Sequence, residues 1–199
     1  MPTRHFPVRP NLDQLRNQAK DLLRAFRRNE PWAVAEFQEA LPEKADSSTA
    51  KLADAQFVLA RTYGLPHWPR LVIACRITDA IWRGDVETVR SLVLHDPRLL
   101  EEDARGVKGN WGPPLSYAAN LGQDAVIDML RSLGASDLPF AFQRACLQGQ
   151  IQTARRLHSM MGNTRPSGGE LSGPAYTLNV AGTELLLDLG APLYDKNGA

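Results

Sequence analysis

Cysteine is scarce. Only Cys75 and Cys146 occur among 199 residues, far apart and without a C-x-x-C pair, so the chain carries no disulfide framework and no cysteine-built zinc motif. Two reduced, buried thiols are expected instead. Histidine is sparse as well: His5, His67, His95 and His158 stand singly, with no i, i+3 or i, i+4 partner of ligand type. The spacing offers no metal site, and none of the short motifs that carry catalysis is present: no phosphate loop ending in Lys-Ser or Lys-Thr, no G-x-S-x-G elbow, no H-E-x-x-H. Ser167-Gly168-Gly169-Glu170 superficially resembles a catalytic turn, but no strand precedes it and no histidine base accompanies it. It reads as a loop. The chain is therefore expected to be non-catalytic and to use no cofactor.

Long apolar runs are also missing, since nothing approaches the roughly 18 residues of a membrane helix. The start, MPTRHFPVRPN, is basic but leads into no apolar signal core. A cytoplasmic protein without membrane contact is expected. Charge of one sign is lacking too, with a formal net charge of +1. Up to Arg76 there are 12 Lys or Arg against 8 Asp or Glu, and beyond it 11 against 14, a modest basic excess rather than a dense phosphate-binding patch. Nucleic acid is thus a disfavoured partner. The cluster Arg24, Arg27 and Arg28 complements the negative end of a helix equally well.

What is present is helical periodicity. Leu12, Leu15, Ala19, Leu22, Leu23 and Phe26 recur at helical spacing with Arg and Lys opposite, which predicts an amphipathic helix from Asn11. Glu30-Pro31 marks a stop and a restart, and Trp32, Val34, Ala35, Phe37 and Leu41 continue the pattern. A third helix follows Ser47-Ser48-Thr49 and closes at Gly64, and a fourth opens at Pro66-His67-Trp68-Pro69 and runs towards Ile77, with His67 capping or packing at its start. Residues 1–76 are read as one helical unit.

Beyond it the chain repeats. Ala80-x-x-x-Gly84, Ala118-x-x-x-Gly122 and Ala145-x-x-x-Gly149 each place a small residue four positions before a glycine, and a short helix follows each. The intervals of 38 and 27 residues bracket a period of about 33. Residues 113–135, PPLSYAANLGQDAVIDMLRSLGA, resemble the ankyrin repeat at Pro114, Leu115, Ala118, Ala119, Gly122, Val126, Leu130, Gly134 and Ala135. Pro113, Ser116, Gln123 and Arg131 depart from it, which weakens the family's polar capping network. The first copy has Asp96-Pro97 where Gly-Ala would stand, a Gly/Ser-rich loop at 168–174 precedes the last copy, and aligning that copy on Gly182 leaves it contracted by a helical turn. The strings NLDQLRNQAKDLLRAF and LADAQFVLARTYGLPHWPRL resemble a helical segment that precedes ankyrin repeats in many bacterial proteins, where it acts as a cap.

The resemblance implies an all-α, ankyrin-type solenoid: a cap over 1–76 and three to four degenerate repeats over 77–199. No polar terminal cap is visible at Asp195–Ala199, so a longer native chain is expected, with the alternative that this is a regulatory or targeting part of a larger enzyme. In the family the two residues before each repeat glycine face a concave binding surface, here Trp82-Arg83, Asn120-Leu121 and Leu147-Gln148. Trp and Arg are enriched among interface hot spots. The hairpin Arg105–Gly112 adds Lys108, Asn110 and Trp111, with Tyr117 beneath. These residues are expected to hold a protein partner. Two readings compete for the tryptophans: Trp111 folding back onto Tyr117, and Trp82 packing against the N-terminal helices.

Overall fold

Residues Leu12–Arg27 form α1 in the computed structural model, which describes residues 4–44 and 46–193. Asn11 starts the helix by accepting the Gln14 N–H at 2.9 Å, and the apolar stripe Leu15, Ala19, Leu22 and Phe26 is buried. Pro31–Ala40 (α2) and Leu52–Thr62 (α3) pack on that stripe. The Phe26 and Phe37 rings stack at 3.7 Å between centroids. Gly64 closes α3 with φ +84°, a conformation that suits a residue without Cβ, and sends Leu65 into the core. Trp68–Trp82 form α4, whose first turn is capped by His67, its Nδ1 accepting the Arg70 N–H at 3.2 Å. The apolar run had implied an end near Ile77. Instead α4 continues through Ala80, so the expected boundary between residues 76 and 77 falls inside a helix.

Two compact units divide the chain: Met1–Asp79 with Arg105–Lys108, and Ala80–Ala104 with Gly109–Ala199. The return of 105–108 to the first unit was not legible in the sequence. Its cause is Arg105, which is buried and donates to the backbone carbonyls of Phe6 and Pro7. Arg105 is therefore a structural cation. Arg24 and Arg28 pair with Asp21 and Glu30, and Arg27 donates to the Ala50 carbonyl, so each of the three has a local partner.

In the second unit, helices come in pairs joined by one turn geometry. The end of α4 is followed by α5 (Val86–His95), α6 (Pro114–Asn120) by α7 (Asp124–Ser132), α8 (Leu138–Leu147) by α9 (Ile151–Met160), and α10 (Ser172–Tyr176) by α11 (Val180–Asp188). The described residues contain eleven α-helices, three short 3-10 turns and no strand. At each junction the residue after the turn donates its N–H to a carbonyl five positions back: Asp85 to Ala80, Gln123 to Ala118, Gln150 to Ala145 and Asn179 to Pro174. The Ala-x-x-x-Gly signal has this cause. The alanine lies buried where its carbonyl closes the turn, and the glycine takes positive φ, +65°, +67° and +70° in the first three copies.

The fourth copy was misaligned by sequence. Its turn residue is Leu178, at φ +56°, and Gly182 lies within α11. Leu178 to Gly190 spans the same 12 residues as Gly122 to Gly134, so no helical turn is missing. The Gly/Ser-rich segment, read as a loop, holds the 3-10 turn Gly168–Leu171 and α10, with Pro174 buried; a capping box between Ser167 and Glu170 starts it, and the first helix of each pair is termed inner, the second outer. Asp195–Ala199, where a missing cap was inferred, lie outside the described residues. Leu178 is 86% exposed and thus holds a left-handed conformation with no packing in return. Leu178→Gly is expected to stabilise the protein by about 1 kcal/mol, read as a raised chemical-denaturation midpoint.

Candidate functional site

A second periodicity lies across the helix pairs. The residues after the second, third and fourth turns send their side-chain amides back to the preceding copy: Gln123 Nε2 donates to the Trp82 carbonyl at 3.2 Å, Gln150 Nε2 to Asn120 at 3.4 Å, and Asn179 Nδ2 to Leu147 at 3.0 Å. The accepting residue always stands two positions before the turn. Those same amides close over the preceding glycines, because a Cβ on Gly84, Gly122 or Gly149 would meet them at 2.8, 2.7 and 2.8 Å. Gln123, counted above as a departure from the family pattern, is thus one rung of an amide ladder of the chain's own. The ladder fixes one inner helix against the next.

The side chains of those accepting residues meet the next inner helix at the position five before its turn. Trp82 Nε1 donates to the Tyr117 hydroxyl at 2.7 Å, Asn120 Oδ1 accepts from Arg144 Nε at 2.8 Å, and Leu147 comes within 3.3 Å of where a Cβ of Gly173 would sit. Trp111 covers the first of these contacts. Its ring lies 5.0 Å from Tyr117 and 6.4 Å from Trp82 between centroids, so the fold-back reading of Trp111 holds and Trp82 joins the same cluster. Aromatic pairs at such distances stabilise by about 0.5–1.5 kcal/mol beyond burial.

The ten expected contact residues therefore divide. Arg83, Asn110 and Gln148 are exposed, Arg83 within 3.4 Å of Asp85; Trp82, Trp111, Leu121 and Leu147 are half-buried; Lys108 is exposed but belongs to the first unit. Tyr117 and Asn120 are corrections. At 0% and 3% exposure they have no surface to offer, because Tyr117 fills the core under both tryptophans and Asn120 is consumed by hydrogen bonds to Ser116 O and Arg144.

Comparison with models of protein families and with curated proteins finds no match for this chain. What the surface can do must follow from its own chemistry.

Sequence reasoning missed Arg144. It is 6% exposed, its guanidinium is pushed below the usual arginine range by burial, and its single hydrogen bond goes to a neutral amide. A signal existed: Arg144 is the lone charge in α8, LPFAFQRACL, and sits in register with the buried Ala141 and Ala145. Nearby, the Ser116 hydroxyl donates to Asp137, whose other carboxyl oxygen is buried without a partner, and burial raises that carboxyl above the ordinary range. Beside Arg144 opens a pocket of about 170 Å³ between α8 and the segment 169–174.

The two thiols are unreactive. Cys75 and Cys146 are buried and free, and desolvation pushes each up to about 12, leaving negligible thiolate at neutral pH. Cys75 lines a cleft of about 520 Å³ in the first unit, whose rim is held by Arg9 pairing with Asp79 at 2.8 Å. No group of three metal-ligating side chains gathers among the described residues, and no helix among them is long and apolar enough to cross a membrane.

Proposed function

We propose that this chain is a non-catalytic protein-binding module built from ankyrin-type repeats, with its partner seated along the exposed ends of the inner helices. The observation that carries this reading is the row running from Trp82 and Arg83 through Trp111 to Leu147 and Gln148, held in fixed register by the amide ladder. Half-buried Trp backed by a filled core, beside an exposed Arg, matches the make-up of an interface hot spot: large area, little freedom to lose, and a water-excluding surround.

Because Trp111 packs on Tyr117, removing it entirely would disturb the core, so Trp111→Phe with Arg83→Ala is the better probe. In affinity capture from a cell extract, the double variant is expected to retain the wild-type melting temperature and to recover the partner at least about tenfold less well. Equal recovery by both proteins would remove the row as the binding surface.

A further inference from the structure

The fourth copy lacks the side chain that the second and third copies place five positions before the turn. Tyr117 and Arg144 fill that place in α6 and α8, whereas α10 has Gly173. The missing side chain leaves the pocket of about 170 Å³, walled by Phe140, Leu147 and Pro174 and polar at Gln143 and Glu170. Arg144 lines it.

That cation has no counter-charge among the described residues, although its terminal nitrogens are not sealed from solvent. Buried charges ordinarily sit against a counter-charge, since desolvating an ion without one costs several kcal/mol. Arg144 spends Nε on Asn120, and neither terminal nitrogen has a hydrogen-bond or ion-pair partner among the described residues. Glu170, the carboxylate in the pocket wall, is committed elsewhere: Oε2 accepts the Ser167 N–H at 2.8 Å and Oε1 accepts from Gln143 at 3.5 Å. The fold thus supplies a forked donor and a small pocket of mixed apolar and polar lining, with no acceptor bonded to the donor's terminal nitrogens among the described residues.

We propose, resting on the binding-module reading, that this pocket takes a carboxylate on a short apolar stem, with Arg144 receiving the oxygens and Phe140, Leu147 and Pro174 holding the stem. A planar guanidinium matches the two oxygens of a carboxylate bidentately. Glu170 in the pocket wall repels any anion, a doubly charged one about twice as strongly as a singly charged one, which sets a monocarboxylate ahead of phosphate. The bearer is either an acidic residue or terminus of a bound peptide, or a free small carboxylate, and the same pocket chemistry serves both.

The test is an NMR titration following the Arg144 Nε–H resonance with butyrate, butyramide and inorganic phosphate. Butyrate is expected to shift it saturably, with a Kd in roughly the millimolar range, while butyramide and phosphate leave it in place. Gly173→Leu, which fills the chamber but keeps Arg144, should abolish the shift. Absence of a saturable butyrate response, an equal response to butyramide or phosphate, or persistence in Gly173→Leu each overturns the proposal. The tripeptide Ala-Ala-Leu beside its C-terminal amide separates the bearers: tighter binding of the peptide acid than of butyrate assigns a partner's carboxylate, and binding no tighter assigns a free one. The pocket response does not draw on Arg83 or Trp111, so it survives Trp111→Phe/Arg83→Ala even where capture fails, and the two readings can fail separately.

Discussion

Gly182→Ala is expected to destabilise the second unit by about 3 kcal/mol. Gly182 is buried in the first turn of α11, and its Cα faces the backbone of α8. An added Cβ would lie 3.0 Å from the Cys146 carbonyl carbon and closer still to its oxygen. No side chain can swing aside there, since the obstacle is the main chain itself. Either α11 lifts off or α8 distorts, and with α11 go Leu185 and Leu186, both essentially buried. Each would forfeit about 1.5–3 kcal/mol of burial if fully released. Hydrogen exchange would locate the damage: protection should fall in α11 and the end of α8 while α1 and α3 keep theirs. Wild-type stability in Gly182→Ala would show that the two helices do not approach so closely.

Asn120→Ala is expected to cost about 2–3 kcal/mol, and most of that loss should return in Asn120→Ala/Arg144→Met. Asn120 gives Arg144 its single hydrogen bond, and its own Nδ2 donates to Ser116 O at 2.8 Å. Removing it strands a buried guanidinium, and a stranded ion costs more than the bond was worth. Replacing Arg144 by methionine removes the charge and keeps much of the volume, so the double variant no longer pays that penalty. By the same reasoning Arg144→Met alone leaves the buried Asn120 Oδ1 without its donor and should cost about 1–3 kcal/mol, so the double variant is expected to lose less than the two single losses added together. Denaturant melts of the three variants close the cycle. Additive losses would mean that Asn120 and Arg144 are not coupled and that the cation is satisfied elsewhere.

The N-terminal helices were legible because their signals are local. Asn11, Pro31 and Gly64 mark helix ends through their own conformational preferences, and the stripe from Leu15 to Phe26 needs no distant information. The Ala-x-x-x-Gly recurrence likewise found three of four turns. It failed at the fourth because Leu178 occupies a left-handed turn that sequence assigns to glycine, and the nearby Gly182 drew the alignment away. There the turn closed by the Asn179 N–H on the Pro174 carbonyl imposes the left-handed conformation on an exposed leucine. The candidate site was legible only by position. The register before each turn glycine marked the stretch of helix that carries the exposed row, yet whether Tyr117 and Asn120 face outward depends on Trp111 and Arg144, residues six and twenty-four positions away. The pocket itself arises from an absence, Gly173 set against Tyr117 and Arg144, and becomes visible only once the copies are superposed through their turns.

The placement of a partner along the inner-helix row is tested most directly by site-specific photo-crosslinking in a cell extract. A photoreactive side chain is placed in turn at Arg83, at Gln148 and, on the outer helix α9, at the exposed Arg155. A binding surface on the inner helices predicts the same discrete adduct from Arg83 and Gln148 and none from Arg155. An adduct from Arg155 alone, or none from the two inner positions, would contradict it.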